Sequence, residues 1–159
     1  MIKYLNEPVS GKETYFLANR FFSDSNYVEF SHIPAKEIVS FDCGLFNLTE
    51  ISKDEIPAVD ADHQILCVIV NPEATTTCEI ANDPEFEFCG YDLIEEETSI
   101  SAITNCGDEF VDLFGAKNLT KFGLIPDFEA AVNFQKKLVE SFPEEPHADC
   151  IILKIWRRL

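Results

Sequence analysis

Gln64-Ile-Leu-Cys-Val-Ile-Val70 is a continuous apolar run with no polar face. Its length is that of a β-strand buried on both sides, which places it centrally in a sheet. A central strand needs partners, and two more stretches offer them. Cys150-Ile-Ile-Leu-Lys-Ile-Trp156 is a second apolar strand candidate, followed by Arg157-Arg158-Leu159. In Glu85-Phe-Glu-Phe-Cys-Gly-Tyr-Asp-Leu93 the apolar residues move from even to odd positions across Cys89-Gly90, the shift that a β-bulge imposes. The stretch reads as one bent strand.

Val39, Phe41, Cys43 and Leu45 alternate with polar or small residues, which predicts a strand over 36–48. Tyr27 to Ile33 alternates more weakly, and residues 12–22 fit helix or strand. The helical pattern lies later. From Asp127 to Phe142 the positions Phe128, Ala131, Val132, Gln135, Leu138, Val139 and Phe142 follow helical spacing, between Pro126 and Pro143. Asp127 and Glu129 open this helix and Lys136 and Lys137 lie toward its end, as the macrodipole favours. A shorter helix is expected over 108–114, with Gly115 closing it. The expectation is an α+β fold. A mixed or mostly antiparallel sheet of about five to six strands carries one long helix (127–142) and a short helix (108–114). With no repeat and no Gly/Ser linker, residues 1–159 read as a single acidic globular domain.

The composition suits a packed core. Of 159 residues 46% are hydrophobic and 26% charged, and a chain this long buries roughly 70% of its unfolded surface. No apolar run approaches the roughly 18 to 20 residues that span a bilayer, and the first residues lack a signal-peptide core, so a cytoplasmic location is expected. Six cysteines, at 43, 67, 78, 89, 106 and 150, form no Cys-x-x-Cys pair and lie mostly in apolar runs. They read as reduced, mostly buried thiols.

Charge is distributed unevenly. Residues 1–53 carry seven acids and five bases, and residues 117–159 carry six acids and seven bases. Residues 54–116 carry 16 acids and no Lys or Arg, nearly all of the net charge of −17. A surface that only needs solubility intersperses both signs, because clustered like charge costs stability. Acidic potential also repels phosphate backbones and anionic membranes, so a basic protein is the expected partner, with neither nucleic acid nor membrane bound directly.

Sites for chemistry can be sought at four places. Asp60, Asp62 and His63 include metal-ligand types, but the tetrad lacks the spacing of a binding loop and reads as a solvated approach to the strand. Cys106 precedes the expected 108–114 helix, whose N-terminus favours a thiolate, whereas Asp108, Glu109 and Asp112 oppose one. A small cysteine-dependent enzyme using Cys106 or Cys150 with His147 is the alternative reading, although His147 and Asp149 are also explained as a helix-to-strand connector. His32 reads as a partly buried, hydrogen-bonded histidine. No nucleotide, hydrolase or metalloprotease motif is present, so neither an enzyme nor a cofactor is expected.

Glu95, Glu96, Glu97, Asp108, Glu109 and Asp112 fall within 18 residues on a connection expected at the surface, a candidate acidic face for a cationic partner. Around them, Phe88-Cys-Gly-Tyr-Asp-Leu-Ile94 and Ser101-Ala-Ile-Thr-Asn-Cys-Gly107 resemble stretches of the immunity proteins of bacterial toxin–immunity systems. That resemblance implies an inhibitor of a toxin made by the same cell. Its acidic face would cover the basic substrate groove of a nuclease toxin, or bind beside it and block access. A general interaction adaptor is the remaining reading.

Overall fold

The computed structural model describes residues 63–95, 100–103, 110, 113, 115 and 118–159, with backbone alone at 63–65, 79, 146 and 147. Backbone alone is also described for short extended segments upstream, at 2–4, 14–20, 22–23, 37–38 and 47–49.

The body of the fold is three antiparallel strands. β1 is His63–Val70, β2 is Phe86–Glu95 and β3 is Cys150–Arg158. β3 lies between the other two, with Cys67 opposite Trp156 on one side and Glu95 opposite Cys150 on the other. The central place explains its composition. Ile151, Leu153 and Ile155 face one core with Leu66, Val68 and Val70, while Cys150 and Ile152 face a second with Tyr91, Leu93 and the helix. A strand buried on both faces has no polar side, so it reads as an unbroken apolar run. The outer side of β1 is lined by backbone of Thr14–Arg20, also antiparallel.

The pattern inversion in β2 is a bulge. The register with β3 shifts between Phe88 and Gly90, so Cys89 joins one core and Tyr91 the other. Gly90 has φ +135, and a Cβ there would lie 2.7 Å from the Ile125 carbonyl oxygen and 2.8 Å from Leu124 Cβ. Only glycine fits, because a second chain segment crosses here. Tyr91 and Ile125 exchange two backbone hydrogen bonds at 2.8 and 2.9 Å, and the Thr120 hydroxyl donates to the Cys89 carbonyl at 2.9 Å. The outer edge of β2 is thereby covered.

The single described α-helix, α1, runs Phe128–Ser141. Asp127 caps it, its carboxylate accepting from the Ala130 amide at 2.8 Å. Its buried face is Ala131, Phe134 and Leu138, whereas Val139, which the periodicity assigns to the core, is 46% exposed. No base lies in its last turn; Lys137 instead donates to the Leu113 carbonyl at 3.2 Å.

The expected architecture therefore needs correction. In place of five to six strands with two packed helices, the body whose side chains are described has three antiparallel strands and one α-helix. Alternating apolar residues suggest strands without showing which of them close a core, and here β3, buried on both faces, organises the core with only two flanking strands. Residues 101 and 125, near the bent strand, touch it through isolated bridges rather than as strands of their own. Of the expected 108–114 helix only Phe110 and Leu113 are described. The strand expected over 36–48 falls mostly outside the described residues, as Tyr27 to Ile33 does entirely.

Candidate functional site

Two ends of the β2–β3 ladder differ in charge. At the start of β2, Glu87 pairs with Lys121 and with Arg157, the latter at 3.3 Å, and Glu85 pairs with Arg158 at 3.5 Å. The Lys121 ammonium, bonded to the Glu87 carboxylate, holds that group below its usual range, with Arg157 adding to the effect. Arg157 also stacks over Phe122, 4.5 Å from the ring centroid. Acid and base cancel at this end.

The other end lies roughly 25 Å away, at the strand rise of about 3.3 Å per residue. There the last ladder pair, Glu95 and Cys150, meets the connection from α1 to β3. The helix stops at Ser141 because Pro143 cannot continue it, and Pro146–Asp149 forms one 3-10 turn that hands the chain to β3. Between these elements is an open groove of about 730 Å³, whose lining includes Glu95, Glu144, Glu145 and Asp149. Glu144, Glu145 and Asp149 are exposed, and Glu95 is 6% exposed. Its walls are held in place. Asn71, in the left-handed conformation at φ 46, donates its amide to the Ile152 carbonyl at 2.8 Å and accepts from the Ile152 amide at 3.2 Å. Gln135 of α1 donates to the Cys150 carbonyl at 2.6 Å.

A second carboxyl on β2 is fully buried. Asp92 Oδ1 accepts from the Ser101 hydroxyl at 2.8 Å and from the Leu93 amide at 2.8 Å. Ser101 Oγ in turn accepts from the Ile103 amide at 3.1 Å. Among the described residues no donor reaches Asp92 Oδ2. Burial pushes this carboxyl up to about 7 against its two hydrogen bonds. The same contacts, with Glu95 N–H donating to the Ile100 carbonyl at 2.9 Å, fasten Ile100–Ile103 to β2.

Of the acidic face expected from the sequence, Glu95 is placed at the groove, while Glu96, Glu97, Asp108, Glu109 and Asp112 lie outside the described residues. Among the described acids of the middle segment, Glu85 and Glu87 lie apart from Glu95 and are neutralised by bases from 117–159, and the exposed carboxylates beside Glu95 come from that later segment too. Sequence counting missed Glu144, Glu145 and Asp149 because their segment is neutral as a whole. The one available signal was Pro143-Glu-Glu-Pro146, two acids fixed between prolines directly after a helix.

Cys106, Asp60, Asp62 and His32 also lie outside the described residues, and His63 and His147 are described as backbone only. Cys150 is 4% exposed and packs in the helix-side core. Among the described residues no group of three or more His, Cys, Asp or Glu is arranged to hold a metal ion, and no helix is long and apolar enough to cross a membrane. Compared with family models, curated proteins and solved structures, the chain matches none.

Proposed function

We propose that this chain is an inhibitor of the immunity type, which captures a basic protein, a toxin of the same cell, through the acidic end of its sheet. The observation that supports the reading is the separation of charge along the β2–β3 ladder. Glu85 and Glu87 are ion-paired with Arg158, Lys121 and Arg157 at one end, while exposed Glu144, Glu145 and Asp149 border the groove at the other. Segregated carboxylates attract a cationic surface and speed its encounter 10- to 1,000-fold at low salt. They repel nucleic acid, so the partner of this reading is a protein, met in the cytosol, and the action is blockade rather than catalysis.

The test is capture by the tagged full chain from its native cells at low salt, repeated at about 0.5 M salt, where screening leaves an interaction range of only a few ångströms. The expected result is one basic protein that is released by salt and whose toxic activity the chain suppresses. The combined changes Glu144→Lys, Glu145→Lys and Asp149→Lys abolish capture, and Glu85→Lys at the neutralised end leaves it intact. Equal capture by both variants overturns the assignment of this surface.

A further inference from the structure

Cys67 and Cys78 meet on the β1 side of the sheet, away from the acidic groove. Cys67 is fully buried on β1, in a cluster with Ile69, Ile80, Phe86 and Trp156, and Cys78 packs against that cluster from the connection leading to β2. Both sulfurs thus belong to one apolar cluster, and the Cys67 side chain is the largest influence favouring the Cys78 thiolate. Neither is in a disulfide, and Cys78 keeps partial contact with solvent. Two thiols packed in one cluster, one reachable and one buried, have the arrangement of an attacked and a resolving cysteine.

The surroundings of Cys78 favour its thiolate. Cys78 stands directly before the 3-10 helix Glu79–Asn82, and the amides of Ile80 and Ala81, without reaching capping geometry, favour negative charge on its sulfur. Lys154 donates to the Thr76 carbonyl at 2.7 Å, which brings its ammonium close enough to add to the effect. With the Cys67 side chain as the largest contribution, and burial opposing, the Cys78 thiol is lowered to about 7. Cys89 shows the opposite case: buried and donating to the Glu87 carbonyl at 3.5 Å, it is pushed up to about 12. Its thiol stays protonated and inert.

We propose that Cys67 and Cys78 form a redox-modification site that closes to a disulfide when the chain meets a hydroperoxide. The Cys78 thiolate attacks the terminal peroxide oxygen, the O–O bond breaks, and the departing oxygen takes a proton to leave as an alcohol, or as water from hydrogen peroxide. Cys78 is now a sulfenic acid. The Cys67 thiol gives up its proton, its sulfur attacks Cys78, the S–OH bond breaks and water departs. Two thiols are oxidised and one peroxide is reduced. This inference does not depend on the inhibitor reading.

The experiment uses the purified full chain and hydrogen peroxide near equimolar, followed by alkylation, intact mass and peptide mapping. The expected result is loss of two thiols per chain, a Cys67–Cys78 cross-linked peptide, and recovery of both thiols with dithiothreitol. Trp156, opposite Cys67 in the ladder and the sole tryptophan, gives a second readout, because a disulfide beside it quenches its fluorescence. Cys78→Ser, at a partly buried position, abolishes the cross-link and the rapid loss of peroxide. Cys67→Ser leaves Cys78 as a sulfenic acid that dimedone traps. Oxidation of Cys78 to the sulfinic state without a cross-link, or a link to any other cysteine, overturns the proposal.

Discussion

The Ser101 hydroxyl donates to Asp92 Oδ1 at 2.8 Å in a site from which water is excluded. A carboxyl whose value rises from 3.8 to about 7 on folding holds its proton more tightly in the folded chain than in the unfolded one. Between those values the unfolded state has lost a proton that the folded state keeps, so the contribution of Asp92 to stability is greatest below about 4, falls as pH rises toward 7 and then levels off. Urea unfolding across this range checks it. Asp92→Asn, which keeps the shape and removes the charge, flattens the decline, and parallel curves for the two proteins would exclude Asp92 as its source.

Gly90→Ala places a methyl group against the Ile125 carbonyl in a backbone conformation that L-residues rarely adopt. The conformation alone costs about 1–3 kcal/mol, and the contact adds to that because a backbone oxygen has to move. Denaturant midpoints give the sum. A cost below about 0.5 kcal/mol means that Thr120–Ile125 is not held against the bulge.

Phe110 is fully buried, 5.2 Å edge-on from Phe142, and packs with the helix side of the sheet. Phe110→Ala is expected to cost about 3–5 kcal/mol, a large share of the roughly 5–15 kcal/mol that holds a typical domain together. Thermal unfolding measures it. A loss near zero removes Phe110 from the core.

Asp127→Ala leaves the Ala130 amide without its cap and costs about 1 kcal/mol. Asp127→Asn, which keeps an acceptor oxygen, recovers most of it; if both variants are equally weakened, charge rather than capping is responsible.

For the thiols, alkylation by iodoacetamide at Cys78 is half-maximal at pH about 7 and Cys89 is unreactive in the folded chain. An ordinary thiol reaches its half-maximum near pH 8.5. Quantifying each labelled peptide after short exposures separates the two. Half-maximal labelling of Cys78 at the ordinary value contradicts the effect ascribed to Cys67, Ile80, Ala81 and Lys154.

The elements legible in the sequence are those whose signal is local. Gln64 to Val70 and Cys150 to Trp156 are apolar on both faces because both lie inside the sheet, and the parity change at Cys89-Gly90 is a bulge because Gly90 alone fits beneath Ile125. Pro126 and Pro143 bracket the helix within a residue or two of its ends. Its buried face was less legible, because the 131, 134, 138 stripe and a 132, 135, 139 stripe are both apolar enough to compete. The number of strands was illegible for a similar reason: alternation marks a half-buried strand without naming its partner. Charge failed differently. Counting along the chain joined Glu85 and Glu87 to Glu95, although the length of β2 separates them and Arg157 and Arg158 return from another segment to neutralise the first two. The Cys67–Cys78 contact depends on the turn before Ile80, which carries no spacing signal.

The order of the strands in the sheet has a consequence for how the chain is made. β1 and β2 precede β3 in synthesis yet never pair with one another, so each waits with an open edge while residues 96–149 are added. Until β3 arrives, the backbone groups on the edges it will cover have no strand partner. A neighbouring copy carries the same strand, and late pairing of a central strand is the general circumstance in which copies exchange strands at high concentration.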